Sequence, residues 1–323
     1  MNRAFKIYSI VFSAFLLSIV IGFLYVRYAL ERPNYSTVGN KDIRIESGMT
    51  TSEIADMLDK NGLLSSPTLF ALYVRFQRIS LQAGTYQIPS DLSVVDLAKY
   101  LTNGTDDVRL TFIEGLRSEE VAEAAKKLLP TFDSNAFVSK VKSEGLEGRL
   151  FPDTYLVNKN IDAQGVIKVL TDSYKSRIEG LNLSENRAGL SEKEVLTLAS
   201  IIEREERDAK EKPYIAGILI KRLKLGEVLG TDATVQYAFG KDGNWWPKEI
   251  TQAMLDSENQ YNTRKRAGLP PAPICNPGLS SIKSVLAYVE TENLFYLHDK
   301  DGIVRYAKTI EQHNSNIAKY LSQ

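Results

Sequence analysis

The feature that most constrains this 323-residue chain is a run without a single charge, from Ile7 to Val26. As a helix it spans about 30 Å, the thickness of a bilayer core. Arg3 and Lys6 precede it and Arg27 follows. The two early cations favour an N-terminus on the cytoplasmic side, with the remaining chain outside. A cleaved signal peptide is the rival reading. Its apolar core would be shorter, and no A-x-A-like site follows in Arg27-Tyr28-Ala29-Leu30-Glu31-Arg32-Pro33. The expectation is a cytoplasmic tip and retained single-pass anchor over 1–30, then a polar linker over 31–40.

What lies beyond the anchor has room for about two domains of ordinary size. Acidic and basic residues balance at 40 each, so no surface for nucleic acid is indicated. Cys275 is the only cysteine, so no internal disulfide forms. The two histidines, His298 and His313, exclude a His-rich zinc site and a HExxH protease. No metal or cofactor is expected.

Two segments echo each other. Gly48 and Gly115, Glu53-Ile54-Ala55 and Glu120-Val121-Ala122, and Phe70 and Phe137 align at one offset. Each unit reads as strand, glycine turn and amphipathic helix, capped by Thr51 or Ser52 in the first and Ser118 in the second. The first module is expected over 41–104, its last helix stopping at Asn103-Gly104. A larger domain follows over 105–323, with the second unit at about 108–140. Strand-like and helical patterns mix, so the fold class is α+β. Asp299-Lys300-Asp301-Gly302 between two short apolar runs signals a hairpin.

The chemistry concentrates in Leu198-Ala199-Ser200-Ile201-Ile202-Glu203-Arg204-Glu205, an apolar run ending in charge. On a helix Glu203 falls at the flank of the face formed by Val195, Leu198, Ala199 and Ile202. Partial burial there disfavours its carboxylate, so its pKa is expected to rise, as a general acid requires. The competing reading is a solvated helix end with a Glu203–Arg207 pair. Glu205 lies about 200° around the helix from Glu203 and is expected to meet a cation or line another part of a cleft. Asp232 suits a cap or a cleft wall. Gln236, Tyr261 and Asn262 carry amides and a hydroxyl suited to sugar groups. Trp245 and Trp246 suit either sugar stacking or surface packing.

These residues make the chain resemble the MltG-type, YceG-like endolytic murein transglycosylases. The resemblance runs from the anchor to the C-terminus. It rests on Ala199-Ser200-Ile201-Ile202-Glu203-Arg204-Glu205, Thr231-Asp232-Ala233-Thr234-Val235, Tyr261-Asn262-Thr263 and Gly268-Leu269-Pro270-Pro271. Ile274 with Asn276-Pro277-Gly278, the 147–155 segment and His313-Asn314 complete it. It implies a small LysM-like module ahead of a mixed α/β catalytic domain. It implies cleavage of the β-1,4 bond from N-acetylmuramic acid to N-acetylglucosamine inside nascent glycan strands, leaving 1,6-anhydro ends. By resemblance Glu203 is the catalytic residue, with Glu205, Asp232, Gln236, Tyr261 and Asn262 lining the substrate site. The implied partners are peptidoglycan glycan strands and peptidoglycan synthases, at the outer face of the cytoplasmic membrane. A muramidase that adds water to the same bond, and a non-catalytic glycan-binding scaffold, remain as alternatives.

Overall fold

The computed structural model describes residues 3–33, 39–102 and 107–321. Much of the expected 31–40 linker, and the Asn103-Gly104 helix stop, lie outside the described residues. The chain divides into two compact units, one of residues 1–108 with 156–159, the other of 109–155 with 160–323.

In the first unit, α1 (Arg3–Glu31) is one long helix, and its Val11–Glu31 part is long and apolar enough to cross a membrane. From Val11 to Tyr28 its apolar side chains are exposed, as a lipid-facing surface requires, while Leu30 packs against the core of this unit. Then come β1 (Lys41–Ile45), α2 (Thr51–Lys60), α3 (Pro67–Phe76), β2 (Gly84–Ile88) and α4 (Val94–Tyr100). β1 and β2 pair antiparallel, Ile43 opposite Tyr86 and Ile45 opposite Gly84. The period-2 alternation of β1 puts Ile43 and Ile45 into a core with Leu58, Phe70, Ile88 and Leu97.

The cap of α2 sits one residue before the expected Thr51 or Ser52. Thr50 Oγ1 accepts the Glu53 N–H at 3.3 Å, and Glu53 Oε2 accepts the Thr50 N–H at 2.7 Å. This is a capping box, and its T-x-x-E spacing was present in the sequence.

β3 (Asp107–Thr111), α5 (Ser118–Lys126), α6 (Ser134–Glu144) and β4 (Thr154–Asn158) repeat the β-α-α-β order of the first module. Gly48 and Gly115 both hold left-handed backbone, at φ 92° and 82°, and Phe70 and Phe137 are both fully buried. Ser118 does not cap α5 but is its first residue. Arg117 occupies the cap position, its N–H held by Glu120 Oε2 at 3.1 Å.

In the second unit α7 (Ala163–Ile178), α8 (Glu192–Glu205), α9 (Lys212–Leu225), α10 (Asp232–Phe239), α11 (Gln252–Leu255) and α12 (Leu279–Leu286) surround one core. α8 is its axis. It is buried on every side from Val195 to Ile202, more than the single apolar face expected from spacing. The two polar members of that run bond to backbone: Thr197 Oγ1 donates to Lys193 O, and Ser200 Oγ donates to Thr197 O and accepts the Ile274 N–H. β5 (Phe295–His298) and β6 (Val304–Ala307) form the expected hairpin, and α13 (Ile310–Tyr320) closes the chain. The mixture is α+β.

Candidate active site

Glu203 and Glu205 leave the last turn of α8 toward different surroundings. Both oxygens of Glu203 are engaged. Oε1 accepts from Lys212 Nζ at 3.1 Å, and Oε2 accepts from Gly278 N at 2.9 Å and Ser281 Oγ at 2.8 Å. The Lys212 side chain is 3% exposed and also donates to Ser280 Oγ. The expected burial of Glu203 is therefore present, and a cation and two further donors occupy its carboxylate. The Glu203–Arg207 pair does not form, because α8 ends at Glu205 and Glu206 turns into extended backbone.

A second carboxylate joins this cluster. Glu114 lies across Gly278, where a Cβ would come within 1.7 Å of Glu114 Oε1. Burial and the Glu203 charge raise the Glu114 carboxyl, while Lys212 opposes them. Nothing local in the sequence marks Glu114, since its neighbours come from positions 203, 212 and 278.

Glu205 opens instead on a cleft of about 620 Å³, lined also by Arg222, Asp232, Arg264, Tyr296, His298 and His313. The Tyr296 hydroxyl donates to Glu205 Oε2 at 2.9 Å. Burial pushes the Glu205 carboxyl above its ordinary value and the nearby Asp232 charge adds to this; Tyr296, the Ala233 N–H and His298 pull the other way. Asp232 is half exposed and ion-paired with Arg264. It is the first residue of α10, whose start is fixed by the mutually bonded hydroxyls of Thr231, Thr234 and Thr263. That trio gives the Thr231–Val235 and Tyr261–Thr263 motifs a shared physical purpose. On the far wall His313 stacks on Phe295 at 5.3 Å. His313 Nδ1 is buried and has no hydrogen-bond partner among the described residues.

The other expected site residues lie elsewhere. Tyr261 packs on Tyr237, ring centroids 4.7 Å apart, in a separate cavity of about 530 Å³ lined also by Arg117, Glu147 and Pro273. Gln236 Nε2 donates to Pro247 O. Asn262 is fully buried, its amide donating to Leu255 O and Ser257 O and its oxygen accepting from Arg264 N. It therefore anchors a loop, with its amide groups turned to the protein interior. Trp245 and Trp246 are not free platforms either. Their indole N–H groups donate to Glu123 and Glu120, and Arg204 lies over Trp246 at 3.9 Å.

Asn276 was legible only as a motif letter. Its Oδ1 accepts Gly148 N and Leu150 N, and its Nδ2 donates to Leu116 O and Glu147 Oε1. One side chain thus ties the 147–150 loop to the residues before α5. Glu147 accepts the Ser118 N–H as well, and burial pushes its carboxyl up to about 7.

The comparisons agree with this architecture. The model of the YceG-like family matches residues 43–319. An endolytic murein transglycosylase of Bacillus subtilis (strain 168) is 30% identical, over 94% of this chain and 92% of that protein. One from Streptococcus pneumoniae (strain D39) is 28% identical over 89% of this chain, which spans 59% of that longer protein. A 2.6 Å crystal structure of the yceG-like protein lmo1499 from Listeria monocytogenes superposes with a TM-score of 0.58 at 25% identity, covering 86% of this chain and 99% of that one. The match over most of the chain shows that this chain belongs to the YceG-like family.

Proposed function

We propose that this protein is a membrane-anchored endolytic lytic transglycosylase, and that Glu205 rather than Glu203 is its acid and base. One observation carries the choice. Of the two glutamates, Glu205 faces a cleft with its carboxyl raised by burial, whereas both oxygens of Glu203 are consumed by Lys212, Gly278 and Ser281. A general acid needs a proton to give and a path to the substrate.

The reaction needs no water. Protonated Glu205 gives its proton to the glycosidic oxygen, and the bond from C1 of N-acetylmuramic acid to that oxygen breaks. The C6 hydroxyl of the same sugar attacks C1, closing a 1,6-anhydro ring. The Glu205 carboxylate accepts the proton released from that hydroxyl, which restores the acid. An internal nucleophile is already held beside the reacting carbon, so one carboxyl serves both steps. Asp232, with its charge held beside the same cleft, stabilises the positive charge that grows at C1.

The muramidase reading keeps one specific support: Asp232 is a second carboxylate in the Glu205 cleft, as a water-activating base would be. Weighing the products of uncrosslinked glycan strands decides between them, since anhydro ends lack one water. Glu205→Gln is expected to abolish product and Glu203→Gln to leave measurable product; the reverse pattern overturns the assignment. Glu203 then acts as a latch that holds the end of α8. A scaffold role is sunk by any strand cleavage that depends on Glu205.

The finer parts of the reading rest on sequence. Arg3 and Lys6 before the apolar helix support a cytoplasmic N-terminus, placing the cleft on the outer side of the cytoplasmic membrane. The β-α-α-β order of the first module supports reading 41–104 as LysM-like. Nascent strands are the nearest substrate there, which makes peptidoglycan synthases the natural partners.

A further inference from the structure

The cavity beside Tyr261 has no part in the chemistry above, yet it is built like a binding site. Its floor is the Glu147 carboxylate. One oxygen accepts from both Asn276 Nδ2 and Ser118 N; the other only shares the Ser118 N–H, at 3.2 Å, and keeps accepting capacity. One wall is the Tyr237–Tyr261 pair. The rim is cationic, with Lys142, Arg149 and Lys193. Lys142 and Arg149 are matched by Glu119 and Glu192. Lys193, exposed in the first turn of α8, has no carboxylate partner among the described residues.

A ligand for this cavity needs an N–H donor for its floor and a negative charge for its rim. A short peptide with free carboxylates has both; a neutral sugar has only the first. Peptidoglycan strands carry such peptides on their muramoyl residues. α10 joins the two places: Asp232 lines the Glu205 cleft and Tyr237 lines this cavity. They stand five positions apart on the helix, about 8 Å along its axis. Three extended peptide residues cover about 10 Å.

We infer that this cavity receives the carboxylate-bearing stem peptide of the strand being cut, with a peptide N–H on Glu147 and a carboxylate at Lys193. The inference rests on the transglycosylase reading for the identity of the strand. It makes the enzyme a reader of peptide-bearing glycan.

The test has two arms on the full-length protein in detergent. The first compares kcat/KM on uncrosslinked strands with their peptides intact and on strands stripped of them. The wild type is expected to favour intact strands at least tenfold, and Lys193→Glu to bring that ratio close to one. Equal rates in the wild type, or a ratio unchanged by Lys193→Glu, overturn the inference. The second arm measures binding of N-acetyl-alanyl-glutamate to the Glu205→Gln protein by calorimetry. Binding is expected to weaken at least tenfold with Lys193→Glu and with the amidated peptide. Absence of binding, or indifference to both changes, also overturns it. Failure of the transglycosylase reading would look different: neither kind of strand would be cut, while the peptide would still bind.

Discussion

Lys212 Nζ lies 3.1 Å from Glu203 Oε1, and both side chains are almost wholly out of solvent. This ion pair decides how the end of α8 divides its labour. Glu203 faces a lysine and the start of α12; Glu205, two residues on, faces Tyr296 and an open cleft.

The pair predicts a stability phenotype for Glu203 and Lys212. Removing one partner of a buried ion pair leaves the other charge uncompensated, a loss of about 3 kcal/mol or more. Lys212→Met and Glu203→Gln are each expected to lower Tm by several degrees. The double variant is expected to lose less than the sum of the two, because no charge is then stranded. Thermal unfolding of the four proteins checks this; strict additivity would mean that the two side chains do not interact.

Glu205 predicts an activity phenotype. Loss of the proton donor is expected to reduce kcat by about 10² to 10⁴ with little change in Tm. The pH profile carries a sign. The acid must be protonated to start the reaction, so the rate falls as pH rises through the Glu205 pKa. Tyr296 donates to the Glu205 carboxylate and pulls that pKa down. Tyr296→Phe is therefore expected to move the alkaline limb to higher pH. A limb that stays in place, or moves to lower pH, counts against Glu205 as the titrating acid.

How much of this was legible in the sequence depends on the reach of each feature. The Asp299–Gly302 turn was readable because its bonds are local, Asp299 Oδ1 accepting from Asp301 N and Ile303 N. The 200° separation of Glu203 and Glu205 was readable from helix geometry alone. Which of them faces a cleft was not. The deciding partners, Gly278 and Tyr296, lie 75 and 91 residues along the chain. The loop bonds of Asn262 were not legible for a related reason: an amide suits a sugar as well as it suits loop carbonyls, and only packing shows the latter.

Gly278 predicts a compensated double variant. Its backbone φ is −74°, so a side chain is not excluded by conformation. It is excluded by Glu114, whose Oε1 would lie 1.7 Å from the new Cβ. Gly278→Ala is expected to destabilise and to weaken activity by displacing the start of α12 from Glu203. Glu114→Ala removes the obstructing carboxylate. The pair is expected to regain most of the Tm lost by Gly278→Ala alone, a coupling measurable by thermal unfolding. If the pair is no more stable than the single variant, Glu114 is not what reserves this position for glycine.

Glu147 predicts how stability responds to pH. Its carboxyl is raised from 4.5 to about 7 by burial, against the bonds from Ser118 and the Arg117 charge that lower it. The folded protein therefore holds this proton more tightly than the unfolded chain. The resulting stabilisation is complete below about pH 4.5, where both states are protonated, and is lost as pH rises toward 7. Over that interval the loss from this group amounts to about 3 kcal/mol. Glu147→Gln holds the group neutral at every pH and keeps an oxygen for the Ser118 N–H. The Tm of the wild type is expected to fall between pH 5 and 8 more steeply than that of the variant. Parallel Tm curves for the two proteins would show that Glu147 does not titrate in this range.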